Sequence, residues 1–279
     1  MAKSYSFHQV DVFTNQPLLG NPLAVVHHAD DLSTMQMQQF ANWTNLSETT
    51  FLLKPSNPLA DYRVRIFTPS AELPFAGHPT LGSCHAWMAS GGKPKSNDFI
   101  FQDCAVGLIK IRIEGDLLSF AAPNLIRTGA LDEMTRTQLA DGLNIFPDDI
   151  VMHQWVDNGP GWCAVMLKSA DKVLSLKPDL AKLKGFKVGV IGPYPPNSEV
   201  NFEVRAFIVP YGINEDPVTG SLNAGIAKWL INAGLVGEGY VVSQGTALRR
   251  KGRVFVKRVG EDIWIGGHVT HCIEGMVHI

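Results

Sequence analysis

Val64-Arg65-Ile66-Phe67-Thr68-Pro69, running on to Gly77-His78-Pro79-Thr80-Leu81-Gly82-Ser83, is nearly repeated by Val204-Arg205-Ala206-Phe207, running on to Asp216-Pro217-Val218-Thr219-Gly220-Ser221. Arg65 and Arg205 stand 140 positions apart and His78 and Asp216 stand 138, so the copies are almost in register, half of the 279-residue chain apart. In that register His78 and Asp216 hold equivalent positions. A weaker echo precedes each copy: His8-Gln9-Val10-Asp11 in the first half, and His153-Gln154 leading to Asp157 in the second. Each echo is followed by a Gly-containing turn and an apolar run, Leu23 to Val26 and Cys163 to Leu167. Such a period is too long for a solenoid unit and marks a duplicated domain. In a duplicated enzyme a ligand belongs in the cleft between the halves, where matched motifs can face one another.

The length suits two domains of about 100 to 150 residues, each with its own core. Short runs rich in β-branched and aromatic residues read as strands: Tyr5 to Phe13, Leu23 to His27, Thr49 to Leu53, Asp61 to Phe67, Leu108 to Glu114 and Leu117 to Ala121 in the first half. The second half repeats the style, with strands at Ala164 to Leu167, Lys187 to Ile191, Asn201 to Ile208, Val241 to Gln244 and Arg253 to Arg258. Ser33 to Asn42, N-capped by Ser33 or Thr34, and Met134 to Leu143 read as helices. Apolar periodicity lapses from Pro123 to Met134, which puts the domains at 1–122 and 123–279, the last strand being free to cross to the first domain.

Composition excludes several classes of partner. With 24 Lys+Arg against 26 Asp+Glu there is no broad field to attract nucleic acid or an anionic membrane. The start, Met-Ala-Lys-Ser-Tyr-Ser-Phe-His-Gln-Val, alternates like a strand and lacks the apolar core of a signal peptide. No run approaches 18 apolar residues, so no membrane span is expected and the location read is cytoplasmic. Cys84, Cys104, Cys163 and Cys272 are scattered, without the spacing of a zinc or redox pair, and read as free thiols. His268-x-x-His271 on a strand puts its rings on opposite faces, so no metal site is expected. Gly-x-Gly-x-x-Gly, a phosphate-binding Gly-Lys-Ser/Thr loop and Gly-x-Ser-x-Gly are all absent, so neither a nucleotide cofactor nor the commonest hydrolase chemistry has support.

The copied motifs each open a helical run, one ended by Gly91-Gly92 and the other by Gly234. A helix N-terminus presents backbone N–H groups and the positive end of its dipole, and the small residues Gly77, Gly82, Gly220 and Ser221 let a ligand approach them. Two such starts could clamp a small carboxylate or a developing enolate; one start alone could equally be a plain cap on a buried helix. Acid–base candidates are few. Asn45-Leu46-Ser47-Glu48-Thr49-Thr50-Phe51 puts one carboxylate at the mouth of an apolar strand, where an ordinary exposed turn residue is the competing reading, and His78 and Asp216 have structural hydrogen bonding as theirs.

Asn45 to Phe51, Ala76-Gly77-His78-Pro79-Thr80 and Glu215 to Ser221, with Asp11-Val12-Phe13-Thr14, Pro17 and Gly20-Asn21-Pro22, resemble the signature segments of the PhzF-like phenazine-biosynthesis proteins. The resemblance implies an α+β protein of the diaminopimelate epimerase-like fold: two pseudo-symmetric domains, each a curled mixed β-sheet around a central helix, an active site between them, and a homodimer. It implies Glu48 as catalytic acid/base with His78 and Asp216 in support, and Asn21, Ser47, Gly77, Gly220 and Ser221 as substrate-binding positions. Related epimerases use one cysteine per half, and none stands in the corresponding stretches here; Cys84, inside the helix, reads as a core residue. One departure is Arg249, after Ser243-Gln244-Gly245, where the family commonly has glycine. The function expected is therefore a cofactor-independent isomerase moving a proton on a small carboxylic-acid metabolite. The alternative is a non-catalytic protein of the same fold that binds a small metabolite.

Overall fold

The elements follow one another as two copies in tandem. The first runs β1 (Ser4–Val12), β2 (Asn21–Val26), α1 (Thr34–Thr44), β3 (Thr49–Leu53), β4 (Tyr62–Phe67), β5 (Glu72–Leu73), α2 (Gly77–Ala89), β6 (Phe99–Cys104), β7 (Gly107–Glu114) and β8 (Leu117–Ala121). After α3 (Glu133–Leu143) the second runs β9 (Met152–Trp155), β10 (Trp162–Met166), α4 (Ala170–Leu174), β11 (Lys187–Pro193), β12 (Phe202–Ile208), β13 (Ile213–Asp216), α5 (Gly220–Asn232), β14 (Gly239–Gln244), β15 (Gly252–Val259) and β16 (Asp262–Gly267), and β17 (Val269–His278) closes the chain. This computed structural model describes residues 3–211 and 213–279. Met1 and Ala2, the start of the alternating N-terminal run, lie outside the described residues.

Two compact units result, Met1–Ala121 with Gly266–Ile279, and Ala122–Ile265. In the first, β1–β2 is antiparallel, β2–β3 parallel, β3–β4 antiparallel, β4–β6 parallel, and β6–β7 and β7–β8 antiparallel. In the second, β9–β10 is antiparallel, β10–β11 parallel, β11–β12 antiparallel, β12–β14 parallel and β14–β15 antiparallel. The same sequence of pairings, in the same order, is the structural form of the duplication. The first unit adds β17, antiparallel along β1.

The residue pattern explains how each sheet wraps its helix. Helix α2 is small or apolar apart from His78 and His85 and is buried from Gly77 to Cys84, touching β1, β2, β3, β4, β6, β8 and β17. Helices of that kind belong inside a core. Helix α5 is likewise buried over most of its length. Two glycines mark the fit: Gly82 is the sixth residue of α2 and Gly225 the sixth of α5. A Cβ on Gly82 would lie 2.5 Å from the Leu23 side chain, and one on Gly225 would lie 2.3 Å from the Val156 carbonyl oxygen. Each central helix is thus pressed against its sheet at a glycine. The outer helices instead pack one face, α1 through Met37 and Ala41 onto Phe51 and Phe67, and α3 through Leu139, Ala140 and Leu143 onto Val165 and Val188.

The repeated Arg-x-Phe also has a shared geometry, with the Arg65 guanidinium 5.1 Å from the Phe67 ring and that of Arg205 5.0 Å from Phe207. One sequence expectation needs correcting. His78 is the second residue of α2, whereas Asp216 ends β13, four residues before α5 begins, so the two are not equivalent. Gly77 and Gly220 match instead, 143 positions apart, because the second copy has the longer hairpin strands: β12 runs one residue further past its arginine than β4 does, and β13 has four residues against two in β5. Helix α4, one turn long and capped by Ser169, and the short β5 and β13 are too brief to leave a periodic signal in the sequence. All four cysteines are free, and Cys84 is buried in α2 as a core residue. No helix among the described residues is long and apolar enough to cross a membrane.

Candidate active site

The chemistry-bearing residues of the first unit gather where α2 begins. Helix α1 ends at Asn45, which turns the chain through a left-handed conformation (φ 55°), a region Asn tolerates better than most residues. The turn delivers Ser47 and Glu48 to the start of β3. Glu48 keeps only 17% of its side chain exposed, and its Oε2 is 3.5 Å from Nδ1 of the buried His78. Asn21, at the start of β2, is fully buried. The structure therefore joins Glu48 to His78, and Ser47 and Gly77 adjoin them in the chain.

Burial drives the His78 ring down to a pKa of about 3, with the Pro22 backbone pulling the other way. At neutral pH the imidazole is uncharged, so its contact with Glu48 is a polar contact between a carboxyl group and a neutral ring and not an ion pair. Its Nε2 makes no protein hydrogen bond of good geometry among the described residues.

The two central helices begin differently from the others. Helices α1, α3 and α4 are capped by the side chains of Ser33, Asp132 and Ser169. Ala76 before α2 and Thr219 before α5 make no such bond. First-turn N–H groups need a partner from somewhere, and here no N-cap side chain supplies it.

In the second unit, Asp216 is tied into a buried network. Thr219 Oγ1 donates to Asp216 Oδ2 (2.5 Å), and Gln244 Nε2 donates to Thr219 Oγ1 (3.0 Å) and the Asp216 carbonyl (3.2 Å). Gln244 Oε1 accepts from Thr219 N (3.1 Å) and Asn223 Nδ2 (2.8 Å). Sequence reasoning passed over Thr219, Asn223 and Gln244 as site-forming residues; the signal was a Gln ending the otherwise apolar Tyr240-Val241-Val242 strand. Gly220 is buried at the first position of α5, and Ser221 accepts from the Trp162 indole N–H at Oγ (3.0 Å) and from Asn158 at its carbonyl (2.8 Å). Arg249 is exposed and left-handed (φ 59°), a backbone that glycine adopts without strain.

A family model described as Phenazine biosynthesis-like protein (PhzC-PhzF) matches residues 10–275. The chain belongs to this family. Antisense-enhancing sequence 1 of Schizosaccharomyces pombe is 36% identical over 97% of this chain and 98% of its own. The trans-2,3-dihydro-3-hydroxyanthranilate isomerase of Pseudomonas fluorescens is 35% identical over 90% of this chain and 89% of its own. A Bacillus anthracis PhzF-family crystal structure superposes with a TM-score of 0.84 at 24% identity, covering 99% of this chain and 100% of that one, a likeness of fold. The α+β fold implied by the sequence resemblance is the fold of the chain, and as a member of this phenazine biosynthesis-like family it is an isomerase.

Proposed function

We propose that this member of the family moves a proton on a small carboxylic acid without a cofactor, with Glu48 as the acid/base. The observation that carries the reading is the largely buried Glu48 carboxyl set against neutral His78 at a helix start whose N-cap residue, Ala76, supplies no side-chain cap. In this reading Glu48 takes a proton from a carbon conjugated with the substrate carboxyl group, and the electron pair left behind spreads into that group as an enolate. The Gly77 and His78 N–H groups and the α2 dipole favour the negative charge. A neutral imidazole beside the carboxyl can donate a hydrogen bond without adding a charge that would hold Glu48 ionised when it must carry the proton. Glu48 then returns the proton to a different carbon, so that substrate and product are isomers. Asn21, Ser47 and Gly77 are the first-unit positions assigned to substrate. In the second unit Asp216 orders the approach to α5 through Thr219, and Gly220 and Ser221 open that helix.

The test is deuterium incorporation followed by proton NMR in deuterated water, with trans-2,3-dihydro-3-hydroxyanthranilate as the first compound in a panel of small carboxylic acids. The wild type is expected to place deuterium on carbon in at least one of them. Glu48→Gln keeps the shape of the side chain and removes its exchangeable charge, so exchange should slow by about a hundredfold or more while thermal-shift binding persists. Undiminished exchange in that variant removes Glu48 from the mechanism. A wild type that binds without exchanging is a binding protein and not an enzyme of this kind.

A further inference from the structure

Away from Glu48 and His78, toward the other end of α2, imidazoles collect inside the first unit. His85 is seven residues beyond His78 on α2, about 10 Å along the axis. Its ring centroid is 6.2 Å from that of His271 on β17; His271 is 4.4 Å from His8 on β1, and His8 is 4.6 Å from His27 just after β2. Glu274 stands opposite His8 in the β1–β17 ladder, its Oε1 4.0 Å from His8 Nε2. His271 and Glu274 are three residues apart, a spacing that points side chains to opposite faces of a regular strand. The register slips between Gln9 and Val10, setting His271 opposite Val10 in place of Cys272. Residues directly opposed across a ladder share a face, and Val10 shares one with His8, so the bulge turns His271 onto the face of His8 and Glu274. One donor atom from each of His8, His271 and Glu274 lies within 4.8 Å of the other two.

These groups are poorly satisfied by protein alone. His8 is 3% exposed, and its Nδ1 and the Nε2 of His271 are buried with no hydrogen-bond partner among the described residues. Buried polar atoms in native proteins normally have a partner. The charges that act on His8, His27 and His85 come from other imidazoles, Glu274 and Asp116, with no Lys or Arg among them. The neutral imidazole is the form that ligates metal.

We propose that His8, His271 and Glu274 form a site for one divalent transition-metal ion, separate from the Glu48 site. Two imidazole nitrogens and one carboxylate oxygen suit zinc or nickel in preference to magnesium or calcium, which take oxygen ligands. Three protein donors leave a fourth position for water or for a further imidazole, His27 being the nearest. Donors on a tetrahedral zinc ion stand about 3.4 Å apart, and the exposed Glu274 side chain has the freedom to close on the ion. The expectation of no metal rested on His268 and His271 facing apart; the companion of His271 is His8, 263 positions earlier, and no local motif reveals it.

The experiment is equilibrium dialysis of the full chain, stripped with chelator, against zinc or nickel alone, with bound metal measured by elemental analysis. One ion per chain is expected. His271→Ala and the exposed-site variant Glu274→Gln should each weaken binding at least about tenfold, since even loss of a residue that merely supports a ligand costs that much. His278→Ala, exposed on the same strand, and Glu48→Gln should leave binding unchanged. Thermal unfolding in chelator establishes that each variant is folded. Substoichiometric binding by the wild type, equal binding by the wild type and both ligand variants, or loss of metal on Glu48→Gln would each overturn the site.

Discussion

Arg65 and Arg205 hold the same place in the two copies and make the same two-pronged pairing, each through Nε and Nη2 to one carboxylate at 2.7 to 2.9 Å. Their surroundings differ. The Arg65–Glu72 pair is 20% and 36% exposed, whereas Arg205–Glu215 is 7% and 9% exposed, and Arg205 Nη1 also donates to the Leu176 and Val173 carbonyls around α4. Removing one partner of a buried pair strands the other charge away from water, at about 3 to 5 kcal/mol, while an exposed pair contributes under about 1 kcal/mol. Glu215→Ala should therefore lower the urea-unfolding free energy by about 3 kcal/mol or more, and Glu72→Ala by less than about 1. Equal losses would show that burial does not set the difference. Both arginines are visible in the sequence as a repeated Val-Arg-x-Phe, but nothing there distinguishes them, because what buries Arg205 is a helix of five residues. Glu48 has a similar history: a Glu before a strand is ordinary, and the family segments around it are what single it out.

The central helices show why the duplication could be read and where the reading slipped. Both start at a glycine and carry another five residues on, and both end near a left-handed glycine, Gly91 and Gly234, so start, closest approach and end are all written in the sequence. The repeat of strands was equally legible, since each is an alternating or continuous apolar run bounded by turns. The error lay in the segment between β12 and α5, where holding the copies almost in register, two residues apart, matched His78 with Asp216. Hairpin length is not encoded in hydrophobic pattern, and β5 and β13 are too short to anchor a register. The glycines make the corrected alignment testable. A Cβ at Gly225 meets the Val156 carbonyl oxygen at 2.3 Å, and backbone cannot yield as a side chain can, whereas at Gly82 the nearest atoms are methyls of Leu23 and Val12. Gly225→Ala should thus cost about 3 kcal/mol, the upper end for overpacking, and Gly82→Ala about 1 to 3, both read from urea midpoints at unchanged m-value. If Gly225→Ala is neutral, α5 does not lie against β9's end as described.

Across the whole protein, the histidines dictate how stability responds to acid. His27 and His78 are held neutral by burial, both with pKa about 3 in the folded chain against an ordinary 6.5, and burial lowers His8 and His85 as well. As pH falls below 6.5 the unfolded chain takes up protons that these folded rings refuse, so mass action favours unfolding. The stabilisation is complete above about 6.5 and is lost progressively as pH falls toward 3, at about 1.4 kcal/mol per pH unit for each fully titrating ring. Glu203 works in the opposite sense, because burial raises its carboxyl and the folded chain takes up that proton first, but it is one group against four. Between pH 7.5 and 5.5, in the presence of chelator, the unfolding free energy should fall by about 2 to 3 kcal/mol. A repeat with saturating zinc in place of chelator should steepen the fall, since protons and metal compete for the same imidazoles. A flat profile in chelator would mean that water or a counter-charge reaches these rings and that burial does not hold them neutral.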